Sequence, residues 1–359
     1  MKIGVLLTPG PQAIRQVQRA EELGFEAAFL TDNPMVYGDP FASFGACLAA
    51  TQRIRIGTFC NPQTRHAPLI AAMLASLNAI GPGRVMLAVG TGSAGAKALG
   101  LPSATLRQLE SFIIEVKGLL AAQLVQTSSF GPAKAVKLID PRLPWMDVEE
   151  PISLYVTASA PRALAMAGRL ADGIVIGGVS HPSLVKACRR FAQLGVEAAG
   201  RDVDAIPIAV TPSAYLSSHR LQFEEMVEVL GPKSLGPAST FATLVERSPE
   251  VPEEVKAAFL AARYPFRATN NGADDLPPHI RAYEGYLQKV HPWQRALMSE
   301  TLLRVTSIAG TPDECLEQLQ ALRAAGVSLV ILSPLPHLAD ESIEMFGREV
   351  LPHLTGERS

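Results

Sequence analysis

The chain has 359 residues, a formal net charge of −2 and a sequence pI near 6.4, so it carries no basic footprint for nucleic acid or anionic lipid. Hydrophobic residues make up 48% and charged residues 18%, which predicts a large buried core. No apolar run approaches the roughly 20 residues that cross a bilayer, which argues against a membrane protein. The four cysteines (Cys47, Cys60, Cys188, Cys315) are scattered, with no Cys-x-x-Cys. They fit a reducing cytoplasm and argue against a disulfide framework or a zinc site. Residues 1–11 lack the longer apolar region and cleavage site of a signal peptide, so a cytoplasmic location is expected.

Short apolar runs alternate with helical patterns along the chain. Residues 2–8 read as a buried strand and 12–23 as a helix stopped by Gly24. Residues 27–31 form the second strand, followed by a helix at 41–50. Residues 54–60 form the third, followed by a helix at 68–80 with Pro68 near its start. Residues 84–89 form the fourth strand. A glycine-rich loop follows, and then a helix at 105–121.

That loop, Gly90-Thr91-Gly92-Ser93-Ala94-Gly95, fits the dinucleotide fingerprint G-x-G-x-x-G. Glycines there let backbone N–H groups approach a phosphate closely. A Rossmann unit would place the loop after its first strand, with an acidic residue ending a second strand about 20 positions on. Here three strands precede the loop, and Glu110 and Glu115 lie inside a helical pattern. The phosphate reading stands, and the surrounding architecture argues against a Rossmann unit. A plain tight turn is the structural alternative.

Residues 122–150 break the rhythm as an insertion, with a hairpin signal at Phe130-Gly131-Pro132. Strands then read at 152–157, 173–176 and 206–210, with helices at 161–171 and 183–200 between them. A second insertion, mostly helical, covers 214–304. A helix at 311–325, a last strand at 327–333 and a helix at 339–351 complete the chain. Eight buried strands, each followed by a helix, predict a single α/β domain over 1–359. Its expected form is a (β/α)8 TIM barrel with two insertions, and an open doubly wound sheet is the alternative. Chemistry in such barrels sits on the loops after the strands. That face would carry Asp32, Asn33, Asn61, Arg65, His66, the glycine loop, and Ser159 with Ala160.

At these positions the chain resembles the bacterial luciferase-like family of flavin and deazaflavin oxidoreductases. The matching pieces include Leu30-Thr31-Asp32-Asn33, Ile56-Gly57-Thr58, Asn61-Pro62 and Arg65-His66-Ala67-Pro68. They continue with Gly83-Arg84-Val85, Val89-Gly90-Thr91-Gly92, Ala158-Ser159-Ala160-Pro161-Arg162-Ala163, Ala171-Asp172-Gly173-Ile174 and Ala309-Gly310-Thr311-Pro312-Asp313-Glu314. Within the family the chain is most similar to the coenzyme F420-dependent branch that includes methylene-tetrahydromethanopterin reductases.

The resemblance implies hydride transfer between F420 and a small organic substrate, with no metal. An FMN-dependent monooxygenase of the same fold and a non-catalytic flavin-binding protein are the alternatives. It further implies that the cofactor phosphate rests on Gly90, Thr91, Gly92, Ser93 and Gly95 and on the turn Ser159-Ala160. Asn61 also belongs to the cofactor site, and Asp32 and Asn33 would approach the polar edge of the ring. A non-prolyl cis peptide, costing about 3–4 kcal/mol, is implied near Cys60-Asn61. Two departures stand out. Asn33 replaces the histidine typical of family monooxygenases and sugar-phosphate dehydrogenases, and an amide is no general base near neutral pH. Leu6 replaces the first-strand glutamate usual in the methylene-tetrahydromethanopterin reductases.

Single residues have plainer readings as well. Asp32 serves equally as a cap, Asn61 as a turn former before Pro62, and Ser159 as a helix N-cap. Arg65 and His66 read as structural, as do His279 and His291. The second insertion is suited to a lid or to a homodimer interface, and its polar stretch at 264–272 is a candidate substrate contact.

Overall fold

A computed structural model describes residues 1–202, 206–263, 277–281, 283 and 287–354. Eight parallel strands close into a barrel in sequential order. They are β1 (Lys2–Leu7), β2 (Ala27–Leu30), β3 (Arg55–Cys60) and β4 (Val85–Val89). Then come β5 (Ser153–Thr157), β6 (Gly173–Gly177), β7 (Ile208–Thr211) and β8 (Leu329–Leu332). β1 closes the ring by pairing with β2 on one side (Gly4 opposite Ala27) and β8 on the other (Lys2 opposite Leu329). The open sheet is thereby excluded: this is a TIM barrel.

The continuous apolar runs have a physical cause. Every residue of β2 and of β4 is buried, because both faces of a parallel barrel strand are covered. Alternate residues divide between two clusters. Ala27, Phe29, Met86, Ala88, Tyr155, Val175, Ala209, Leu329 and Ile331 pack together in the lumen, with Leu6 and Phe59 at its edge. Their neighbours, such as Ala28, Leu30, Leu87 and Val156, belong to the larger layer under the helices. Two glycines make room for lumen rings. A Cβ at Gly57 would lie 2.6 Å from the Phe29 ring, and one at Gly173 would lie 2.3 Å from the Tyr155 ring.

The first insertion contains an antiparallel pair, Val125–Thr127 with Lys134–Val136, around the signalled turn. Phe130 of that turn meets the His66 ring at 4.7 Å between centroids. The second insertion begins differently from the expected helix. Ser213–Leu216 is a strand, paired in parallel with Ser307–Gly310, so residue 214 belongs to a small sheet. The pairing joins segments about 90 positions apart, which helical periodicity does not reveal. The helix Phe223–Glu246 follows, carrying Pro232 and Pro237 inside it. Pro237 seats against Gly178 just beyond β6, so this helix lies over the C-terminal ends of the strands.

Candidate cofactor site at the barrel mouth

Four adjacent strands, β2 to β5, bring the expected site residues to one sector of the mouth. After β4 the chain turns at Gly92, whose φ of 77° favours glycine. A Cβ at Gly92 would lie 2.4 Å from Asn61 Cγ, and one at Gly95 would lie 3.3 Å from the Asp32 carbonyl oxygen and 3.4 Å from Asn61 Nδ2. The glycine loop therefore rests directly on the turns that follow β2 and β3. Among the described residues, no group accepts from the backbone N–H groups of Thr91, Gly92, Ser93, Ala94 or Gly95. The one-turn helix Gly95–Ala98 starts at the end of this run of donors.

Asn61 is 3% exposed, and its Oδ1 accepts from the N–H groups of Gln63 (3.0 Å) and Thr64 (3.2 Å). The side chain thus builds the turn that its place before Pro62 foretold, with Nδ2 left towards Gly95. The cis peptide implied near Cys60-Asn61 is absent, because all peptide bonds among the described residues are trans. The Cys60 carbonyl accepts from Gly90 N–H at 3.0 Å, so the ladder stays regular to the strand's last residue and the turn begins only at Asn61.

Asp32 is committed elsewhere. Its side chain is 1% exposed, and both carboxylate oxygens accept from Arg65, Oδ2 from Nε at 3.2 Å and Oδ1 from Nη2 at 3.1 Å. Burial pushes the Asp32 carboxyl above the usual range, against the pull of the guanidinium. Arg65 also donates to Asp39 at 2.9 Å and lies 4.6 Å over the Phe41 ring. Asn33 is different. It is 5% exposed, and its Oδ1 is buried without a hydrogen-bond partner. Thr31 Oγ1 and Thr157 Oγ1, at the ends of β2 and β5, share that condition. Orphaned polar atoms of this kind are uncommon in folded proteins, and water, an ion or a ligand commonly completes them.

At β5 the helix Pro161–Leu170 starts from Ala160 as N-cap, without a side-chain cap bond. Ser159 therefore does not cap it, because it stands one residue too early. The Ser159 and Ala160 N–H groups have no backbone acceptor among the described residues. A Cβ at Gly90 would lie 3.5 Å from Thr157 Cβ, which places this turn beside the glycine loop.

Residues 5–329 match the luciferase-like monooxygenase family. The chain belongs to that family. It is 24% identical over 365 residues to the 5,10-methylenetetrahydromethanopterin reductase of Methanolobus tindarius, covering 98% of this chain and 100% of the relative. It is 34% identical over 180 residues to the F420-dependent glucose-6-phosphate dehydrogenase of Microbacterium testaceum, covering 46% of this chain and 52% of the relative. The coenzyme F420-dependent tetrahydromethanopterin reductase of Methanopyrus kandleri superposes with a TM-score of 0.71 at 21% identity. That superposition covers 98% of this chain and 99% of the other, and it speaks for the fold.

Two further contacts of this luciferase-like protein were not foreseen from sequence. Tyr283 donates its hydroxyl to the Ala94 carbonyl at 2.6 Å, so the second insertion covers part of the glycine loop. Lys233, from the middle of the helix Phe223–Glu246, reaches the end of β8 on the far side of the mouth. A lone lysine between Pro232 and Ser234 in a mostly apolar helix was the available signal. His279 packs against Gly100. The stretch at 264–272 lies outside the described residues. Among the described residues no cluster of metal-ligating side chains occurs, and no helix is long and apolar enough to cross a membrane.

Proposed function

We propose that this luciferase-like oxidoreductase is F420-dependent and moves hydride between the deazaflavin and a small organic substrate. The observation that carries the reading is the run of five backbone donors from Thr91 to Gly95, with no acceptor among the described residues and flanked by buried oxygens without a hydrogen-bond partner. Such a run suits a phosphate, whose oxygens accept several N–H bonds at once. When bound, the deazaflavin supplies the hydride-carrying carbon.

The chain's own residues have narrower tasks. Thr91 to Gly95, with the Ser159 and Ala160 N–H groups, would hold the phosphate. Asn33 Oδ1 would accept a hydrogen bond from the ring's polar edge, while Asn61 Nδ2 would donate one. Asp32, tied to Arg65, fixes the turn that presents Asn33 and is a positioning residue. Tyr283 would hold the glycine loop in place and help exclude water. Alignment of two reactants in a dry mouth is itself a large catalytic effect.

The test is fluorescence titration of the purified protein with F420 and, separately, with FMN, repeated on Gly92→Asp. Tight F420 binding that is lost in the variant supports the reading. Preference for FMN would move the protein to flavin chemistry, and binding of neither would overturn the proposal.

A further inference from the structure

Both turns assigned to the cofactor phosphate lead directly into an arginine. The Ala104 N–H donates to Thr91 O at 2.8 Å, so the helix Leu106–Leu120 starts beside the glycine loop, and Arg107 is its second residue. The helix Pro161–Leu170 follows the Ser159-Ala160 turn, and Arg162 is its second residue. Among the described residues neither guanidinium has an ion pair or a hydrogen bond. A cation in the first turn of a helix opposes the macrodipole, and neither first turn carries an acid to offset it. Other helices of the protein follow the favoured pattern. Phe223–Glu246 opens with Glu224 and Glu225, and Pro312–Ala324 with Asp313 and Glu314. A bound anion would remove the penalty at both arginines.

Arg107 and Arg162 also line one groove between the outer helices, with a volume of about 440 Å³. Small-molecule sites occupy roughly 300–1,000 Å³, so the groove is of ligand size. Its floor is one face of the helix Pro161–Leu170, with Arg162, Met166 and Arg169 at helical spacing. That helix is drawn in against Pro182–Ala198, backbone to backbone. A Cβ at Gly195 would overlap the Ala165 carbonyl oxygen, and one at Gly168 would overlap that of Ala192. Leu106 and Leu194 add apolar walls, and Arg169 is paired with Glu110 at 2.9 Å. The uncompensated charge of the groove is therefore that of Arg107 and Arg162, the two arginines next to the phosphate turns.

We propose that Arg107 and Arg162 bind the anionic chain that F420 carries beyond its phosphate. The inference rests on the F420 reading above. FMN ends at its phosphate, whereas F420 continues as a lactyl-oligoglutamate chain, its carboxylates separated by methylenes. A guanidinium fork meets a carboxylate in two parallel hydrogen bonds, and the apolar walls suit the methylenes. The ring and phosphate sites at the mouth serve either cofactor. The two arginines supply the discrimination, because only one cofactor reaches them.

The experiment is fluorescence titration of the full chain with F420 and with the same cofactor lacking its glutamyl residues, at low and at physiological ionic strength. At low ionic strength the wild type is expected to bind F420 at least tenfold more tightly than the trimmed form. In the double variant Arg107→Gln, Arg162→Gln that preference should fall to twofold or less, with affinity for the trimmed form unchanged. Salt should shrink the wild-type preference, since exposed charges are screened. Arg107→Lys with Arg162→Lys keeps both charges and should retain most of the preference, which decides the matter even if the glutamine variant fails to fold. A purely structural pair of arginines would weaken both forms alike. That result, equal binding of the two forms by the wild type, or a preference indifferent to salt would overturn the inference while leaving the F420 reading in place. If the wild type binds neither form, the F420 reading falls, and this inference with it.

Discussion

Gly92 lies against the Asn61 side chain so closely that a Cβ at position 92 would stand 2.4 Å from Asn61 Cγ. The turn after β3 and the loop after β4 are thus one packed unit, and the direction of the loop's N–H groups depends on it. Gly92→Ala meets two penalties. Its φ of 77° costs a residue with a Cβ about 1–2 kcal/mol, and the clash must push the loop or Asn61 aside. The barrel does not depend on this loop, so the variant should fold with stability reduced by roughly that amount. F420 binding should weaken by tenfold or more. A denaturant melt beside a fluorescence titration checks both, and unchanged affinity would separate the loop from the cofactor site.

The Asp32–Arg65 pair is two-pronged, with the carboxylate side chain 1% and the arginine side chain 18% exposed. Removing one partner strands a buried charge. Arg65→Met should therefore cost about 3–5 kcal/mol of stability, while Asp32→Asn with Arg65→Met together should cost much less. Chemical denaturation of the single and double variants tests this. If Asp32 instead worked on the ring directly, Asp32→Asn alone would abolish turnover with little change in stability.

In the lumen, Gly173 and Tyr155 are complementary in shape. A Cβ at Gly173 would enter the Tyr155 ring, 2.3 Å from its nearest carbon. Gly173→Ala should destabilise by about 1–3 kcal/mol through overpacking. Tyr155→Leu in the same chain should restore part of that loss, since the shorter side chain vacates the space. A double-mutant cycle on unfolding free energies measures the coupling, and simple additivity would mean that the ring moves freely.

The barrel was legible in the sequence because its strands are buried on both faces. Runs such as Val85-Met86-Leu87-Ala88-Val89 cannot be mistaken for half-exposed strands. The glycine loop and Asn61-Pro62 were legible for a local reason, since turn chemistry is encoded within a few residues. Long-range relationships were not. Nothing in the sequence pairs Ser213–Leu216 with Ser307–Gly310, or assigns Arg65 to Asp32 rather than to a ligand. Lys233 was hidden for the same reason. Its chemistry comes from Ser333 and Pro334, a hundred positions away, and the local signal of a lone lysine beside Pro232 does not say what it meets. The cis peptide implied near Cys60-Asn61 came from the resemblance alone, and the peptide bonds of the described residues are trans.

Lys233 also sets a pH dependence of stability that needs no ligand. Its pKa is lowered to about 7 in the fold by burial, from an ordinary value of 10.5. Between these values the unfolded chain holds the proton that the folded chain has released, so stability rises with pH across this window. The contribution is present in full above pH 10.5 and is lost as pH falls through about 7. Its slope is at most about 1.4 kcal/mol per pH unit, and solvent access to the partly exposed side chain reduces it. Relative to the wild type, Lys233→Met should thus be most stabilised below pH 7, with the advantage shrinking towards pH 10. Urea melts of both proteins at pH 6, 7.5 and 9 give the comparison. Parallel stability curves would show that Lys233 titrates normally, with its ammonium in contact with water.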